Sequence, residues 1–143
     1  MNSYLTKYSG SKITKILLDT KNIALIEASH DEIKPSNRVM KYLLEHGYKV
    51  FPVNSREPHG IIHGMKVFSS LEEIPTKIDM VNIFQKNDMA GLTIQQAIKL
   101  KIKYIWTQLD IFNFEEAKKA EKLNHIVIMN RCTKIEHEKL IKK

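Results

Sequence analysis

Short apolar runs rich in β-branched residues alternate with amphipathic stretches along this chain, and that alternation constrains the fold more than any other feature. Residues 22–28 read Asn-Ile-Ala-Leu-Ile-Glu-Ala. A run of this kind, bounded by polar residues, predicts a strand buried on both faces of a parallel sheet. A polar loop follows over 29–34. Pro35 then suits a helix N-terminus, where its missing N–H costs nothing, and the adjacent Ser36 adds a hydroxyl for capping. Val39, Met40, Leu43 and Leu44 fall on one helical face, and Gly47 ends the helix. Residues 48–53 form the second strand, so the first half reads β-α-β.

The second half repeats the alternation. Residues 65–68 are read as a short third strand and 71–74 as one helical turn ended by Pro75. A strand over 79–84 is followed by a helix over 93–100, with Ile94, Ala97 and Ile98 on one face. Residues 103–107, which include Trp106, form the next strand. The helix over 115–123 carries Glu115 and Glu116 early and Lys118, Lys119 and Lys122 late, which complements its macrodipole. Residues 125–129 are the last strand. Ahead of the first strand, Ile13, Ile16 and Leu17 follow Ser11, a serine placed to cap, so residues 1–20 form an N-terminal segment with a short helix.

Strands alternating with helices in 143 residues mean a single α/β domain, 1–143, with a largely parallel sheet. A domain of this size buries roughly 68–70% of its unfolded surface and needs no disulfide or metal staple. Cys132 is the only cysteine, so no internal disulfide forms, and a reducing, cytoplasmic setting is the simpler reading. The acid-free first eighteen residues, with Lys7, Lys12 and Lys15, leave organellar import open. No apolar run approaches the roughly 20 residues of a membrane helix, so no membrane partner is expected.

Lys and Arg total 23 against 16 acids, a net charge of +7. Nucleic-acid readers lean on arginine forks and stacked aromatics. Here only Arg38, Arg56 and Arg131 are arginine and the lysines are dispersed, so no nucleic-acid partner is expected. The oligomeric state stays open.

In open parallel sheets, ligands bind outside the carboxyl ends of the strands. That rule selects residues 27–34, 54–57, 84–87, 108–110 and 130–133. No phosphate-binding G-x-x-x-x-G-K-[ST] loop, complete G-x-G-x-x-G or H-E-x-x-H motif occurs. His59 and His63 are flanked by Gly60 and Gly64, which argue for a loop rather than a metal-binding helix face. Cys132 and His137 alone are too few to hold zinc. With no catalytic constellation, the expectation is a non-enzymatic protein.

At those five places the sequence resembles a known family. Glu27-Ala28-Ser29 stands where that family has Gly-Ala-Ser, followed by Pro35-Ser36-Asn37-Arg38 and Gly47-Tyr48-Lys49-Val50-Phe51-Pro52-Val53-Asn54. Asp79-Met80-Val81-Asn82-Ile83-Phe84, Trp106-Thr107-Gln108-Leu109 and Asn130-Arg131-Cys132 follow in order. Over roughly residues 12–140 the chain resembles the small stand-alone CoA-binding domain proteins, similar in fold to the CoA-binding domain of the succinyl-CoA synthetase alpha subunit. The resemblance implies a Rossmann-like three-layer fold with helices on both faces of a mostly parallel sheet. It also implies coenzyme A or an acyl-CoA as ligand, with no established reaction. Position by position, it implies Ala28, Ser29 and Ser36 at the pyrophosphate, with Arg38 adding charge close by, and Asn54 and Arg56 near the adenosine and its 3′-phosphate. Ile83 and Phe84 are implied to flank the adenine or the pantetheine arm, and Gln108 and Cys132 to lie farther along that arm.

The chain departs from the family at several of these positions. Glu27 and Asp110 replace glycines, and Ser55, Asn130 and Thr133 replace a proline, an aspartate and a proline. A carboxylate about 4 Å from a phosphate opposes it by about 1 kcal/mol in water and more in a drier site. Glu27 and Asp110 therefore open an alternative: the same fold with CoA binding weakened or lost, serving as an interaction or regulatory module. Cys132 carries two readings. Adjoining Arg131, it has the electropositive setting of a reactive thiol that could pair with CoA; otherwise it is an inert cysteine buried behind the last strand.

Overall fold

Residues 7–57 and 60–142 are described by this computed structural model, and their first element is helix α1 (Gly10–Asp19). Ser9 rather than Ser11 caps it: Ser9 Oγ accepts the Lys12 N–H at 3.1 Å, and Ser11 lies inside the first turn. The chain then runs through β1 (Asn22–Ile26), α2 (Pro35–Glu45), β2 (Lys49–Val53), β3 (Ile61–Ile62) and β4 (Met65–Lys66). A 3-10 turn (Leu71–Glu73) leads to β5 (Met80–Ile83), α3 (Asn87–Lys99), β6 (Tyr104–Thr107), α4 (Phe114–Lys122), β7 (Ile126–Ile128) and α5 (Thr133–Leu140). Residues 1–6, 58, 59 and 143, and with them His59, lie outside the described residues.

Five strands pair in the order β2-β1-β5-β6-β7, all parallel. Alternation along each strand sorts the core into two layers. Ile23, Leu25, Met80, Tyr104 and Trp106 meet Ile13, Leu17, Met40 and Leu43 on the side of α1, α2 and α5. Ala24, Ile26, Val81, Ile83 and Ile105 meet Ala90, Ile94, Ala97, Ala117 and Ala120 from α3 and α4. The fold is Rossmann-like α/β. Because β2 and β5 flank β1 on opposite sides, the chain reverses its direction of winding between β1 and β5, and a crevice opens there above the strand ends.

Three elements differ from the sequence reading. Met65 and Lys66 do not join the main sheet; they pair antiparallel with Ile62 and Ile61, and Phe68 makes only a single bridge to Val53. The cause is the His63-Gly64 turn, in which both residues have positive φ (47° and 80°), the twist that closes a two-residue hairpin. Helix α3 starts at Asn87, six residues before the expected start at 93. Gly91, a poor helix residue in isolation, leaves room for the head of α4: a Cβ on it would come within 2.4 Å of Asn113 Nδ2, so that side chain would have to shift. Helix α5 was not legible because Thr133 and His137 are its buried residues, and neither is an apolar marker.

His137 anchors α5 inside a ring of aromatic groups. Its Nδ1 lies 2.8 Å from the Tyr42 hydroxyl, and the His46 and Tyr48 rings flank it at 5.3 and 5.8 Å. Burial, then the neighbouring His46 charge, holds its pKa below the ordinary histidine value. A folded-state value below that of the unfolded chain makes the contribution complete above about pH 6.5 and lost as pH falls below it. Melting followed by circular dichroism between pH 7.5 and 5.5 is therefore expected to show a fall in Tm that flattens in His137→Gln. An identical fall in both proteins assigns the loss to other groups.

Candidate functional site

A cleft of about 610 Å³ opens over the carboxyl ends of β1, β2, β5 and β6. Its floor begins with a tight turn after β1, where the Glu27 and Ala28 N–H groups both donate to the Val53 carbonyl at 3.0 and 3.1 Å. This turn holds Glu27 at φ 73°, the left-handed region that an L-residue enters at a cost. Asp110 and Asn130 share that conformation, at φ 65° and 60°, and the Asp110 N–H donates to Asn130 Oδ1 at 2.8 Å. Both acids that stand at family glycine positions thus occupy backbone that glycine enters freely.

The loops brace one another. Asn54 is buried, donates from Nδ2 to the Ala28 carbonyl at 2.7 Å and accepts the Arg56 N–H at 2.9 Å. Asn37, from the first turn of α2, donates to the Ser29 carbonyl at 2.8 Å, and Ser29 Oγ accepts the Asp31 N–H at 3.0 Å. The side chains of Asn54 and Ser29 therefore organise the wall of the cleft.

Helix α2 opens into the cleft with Lys34 at its N-cap, Pro35 in its first turn, and no side chain capping it. Ser36, which was read as a capping residue, is buried there without making that bond. Pro35 has no N–H and the Asn37 N–H donates to the Lys34 carbonyl at 3.1 Å, so the Ser36 N–H and the helix dipole are what this end presents to an anion. Lys34 adds a cation with no carboxylate partner among the described residues. Arg56 adds another, but its guanidinium is paired with the Glu27 carboxylate across the cleft. Beside it, His30 Nδ1 lies 2.8 Å from Glu57 Oε2, a second tie between the same two loops.

Of the residues singled out from sequence, Ala28, Ser29, Ser36, Asn54, Arg56, Phe84 and Gln108 line this one cleft. Arg38 lies on the outer side of α2, where its Nε donates to the Glu32 carbonyl at 3.4 Å. Ile83 is fully buried against the α3 and α4 layer. Cys132 is buried in the opposite layer, at the start of α5. Glu57, Leu109 and Ile111 line the cleft without having been singled out. Glu57 and Leu109 lie in loops that the strand-end rule selects; Ile111 lies one residue beyond. Asp110 turns away into an adjoining depression with Lys86 and Asn87. Among the described residues no cluster of His, Cys, Asp and Glu is placed to hold a metal ion, and no helix is long and apolar enough to cross a membrane.

Comparison with known proteins gives these side chains a context. The family described as CoA binding domain matches residues 21–138. An uncharacterised Bacillus subtilis protein, YneT, is 30% identical over 129 residues, covering 90% of this chain and 94% of that protein. The alpha subunit of a Pyrococcus furiosus acetate–CoA ligase (ADP-forming), isozyme II, is 42% identical over 105 residues, but the match spans only 22% of that subunit. A hypothetical protein from Pyrococcus horikoshii OT3 superposes with a TM-score of 0.89 at 40% identity, covering 94% of this chain and 93% of the other.

Proposed function

The chain belongs to the CoA-binding domain family, and from that premise we propose that it binds coenzyme A or an acyl-CoA in the strand-end cleft without catalysing a reaction. The observation that carries the proposal is the uncapped start of α2, which opens into the cleft beside Lys34 and Arg56. The pyrophosphate sits at that helix end, by Ala28, Ser29 and Ser36. The 3′-phosphate end turns toward Arg56, whose guanidinium suits a bidentate phosphate contact. The uncharged pantetheine arm turns the other way, over Phe84, Leu109 and Ile111.

Binding to the folded state stabilises it by about 2.7 kcal/mol at a hundredfold excess over Kd. Thermal melting with millimolar CoA is expected to raise Tm by several degrees, with matching calorimetric heat. A second reading, the fold with CoA affinity weakened or lost, is favoured by the Glu27–Arg56 pair, in which a carboxylate already occupies the guanidinium. An unmoved Tm and no heat would select that second reading.

A further inference from the structure

The turn after β1 is braced from outside the cleft by a histidine. His63 closes the β3–β4 hairpin, and its Nε2 lies 2.9 Å from Asn37 Oδ1 and 3.3 Å from the Asn37 carbonyl oxygen. Asn37 is 4% exposed, and its Nδ2 donates to the Ser29 carbonyl at 2.8 Å. Asn37 and His63 border a separate depression on the outer side of α2, and neither lines the cleft. The order of these bonds fixes the proton. Ser29 offers a carbonyl, so the Asn37 amide turns its nitrogen toward Ser29 and its oxygen toward His63. Both Asn37 atoms that face Nε2 are then acceptors, so Nε2 carries the proton and donates.

We infer that His63 is a positioning residue: it donates to Asn37, and through Asn37 it sets the Ser29 peptide at the wall of the cleft. This rests on the CoA reading, which puts the pyrophosphate beside Ala28 and Ser29. Two carboxamides hold that turn, Asn54 Nδ2 on the Ala28 carbonyl at 2.7 Å and Asn37 Nδ2 on the Ser29 carbonyl. They draw two acceptors that would oppose a phosphate onto donors of the protein. A planar trans peptide points its N–H opposite to its C=O, so holding the Ser29 carbonyl also sets the direction of the His30 N–H. The terminal torsion of an asparagine is broad, and the His63 proton holds the Asn37 amide in the one orientation that serves Ser29. The backbone at 63 points the same way. Its φ of 47° lies in the left-handed region, where Gly and Asn are the usual closers of a two-residue hairpin. Asparagine there lacks the reach of the imidazole Nε2.

The test uses the full chain, titration calorimetry with CoA, and thermal melting. His63→Asn suits the turn but does not reach Asn37. It is expected to weaken CoA about fivefold, the worth of one neutral hydrogen bond. Its Tm should stay within about 3 °C of wild type, because relief of the left-handed backbone offsets the lost bond. His63→Gln keeps an amide N–H at the reach of Nε2 and should bind CoA within about twofold of wild type. CoA affinity unchanged in His63→Asn, or lost equally in His63→Gln, leaves the histidine with hairpin docking alone and overturns the assignment. Long-range proton–nitrogen correlation spectra of the wild-type imidazole, at a pH where it carries one proton, give a check without ligand. The proton should sit on Nε2, and a proton on Nδ1 overturns the donation. Absence of CoA binding by the wild type overturns the CoA reading itself, and the positioning role with it.

Discussion

Replacing Glu27 by glycine is expected to tighten CoA binding about tenfold at low salt, about 1.4 kcal/mol. Glu27 lines the cleft and holds the Arg56 guanidinium in an ion pair. The substitution removes an anion from beside the helix end and frees a cation for the ligand. Two like charges about 4 Å apart repel by about 1 kcal/mol in water and about 4 kcal/mol at an effective dielectric of 20, so a tenfold change is a conservative figure. The gain should shrink as salt screens the cleft.

Stability should hardly move. Relief of the left-handed backbone at φ 73° is worth about 1–2 kcal/mol. Against it stand the unfolded-state entropy of glycine, about 0.4–1 kcal/mol, and an exposed ion pair worth about 0–1 kcal/mol. Glu27→Gln separates charge from backbone: it keeps the φ cost but should recover most of the affinity. Titration calorimetry of the three proteins at two ionic strengths decides the matter. Equal CoA affinity for wild type and Glu27→Gly shows that the Glu27 carboxylate does not oppose the ligand.

The largest effect on the fold is expected at Trp106. Its side chain is fully buried at the centre of β6, where the strand registers Asn82 on one side and Ile128 on the other. Its Nε1 donates to the Arg131 carbonyl at 2.9 Å, which ties the turn before α5 to the core. Trp106→Ala leaves a cavity in the α1, α2 and α5 layer and should cost about 3–5 kcal/mol. That is a large share of the about 5–15 kcal/mol by which a domain of this kind is stable. Urea unfolding is the measurement: the midpoint should fall sharply with an unchanged m-value. Trp106→Phe keeps most of the apolar volume and should lose much less. A Trp106→Ala protein within 1 kcal/mol of wild type would show that the layer collapses into the space.

The Glu27 result bears on how glycine positions are read. A glycine after β1 has no side chain to keep a ligand from the backbone. The structure adds a conformational reason for glycine: the turn that lets two N–H groups share the Val53 carbonyl places residue 27 at positive φ. The same holds for Asp110, whose side chain faces away from the main cleft. Glu27 thus brings a carboxylate into the cleft as well as left-handed backbone, whereas Asp110 lines the adjoining depression.

From sequence by itself came the α/β class, the parallel central strands and the loops that gather at one edge, because period-2 and period-3.6 burial are local properties of the chain. The same patterns sort residues between the two core layers, as Leu25 and Ile26 show on successive positions of β1. Only the tertiary structure decided what depends on distant neighbours. Gly91 lies inside a helix, and the space of its missing Cβ is taken by Asn113 from another element. His137 seats α5 because Tyr42, distant in sequence, offers a hydroxyl. Arg56 is paired and Gln108 is not, although both lie in strand-end loops, because Glu27 crosses the cleft to one and no donor reaches Oε1 of the other. Periodicity marks which face is buried; which polar group finds a partner on that face is set by side chains far away along the chain.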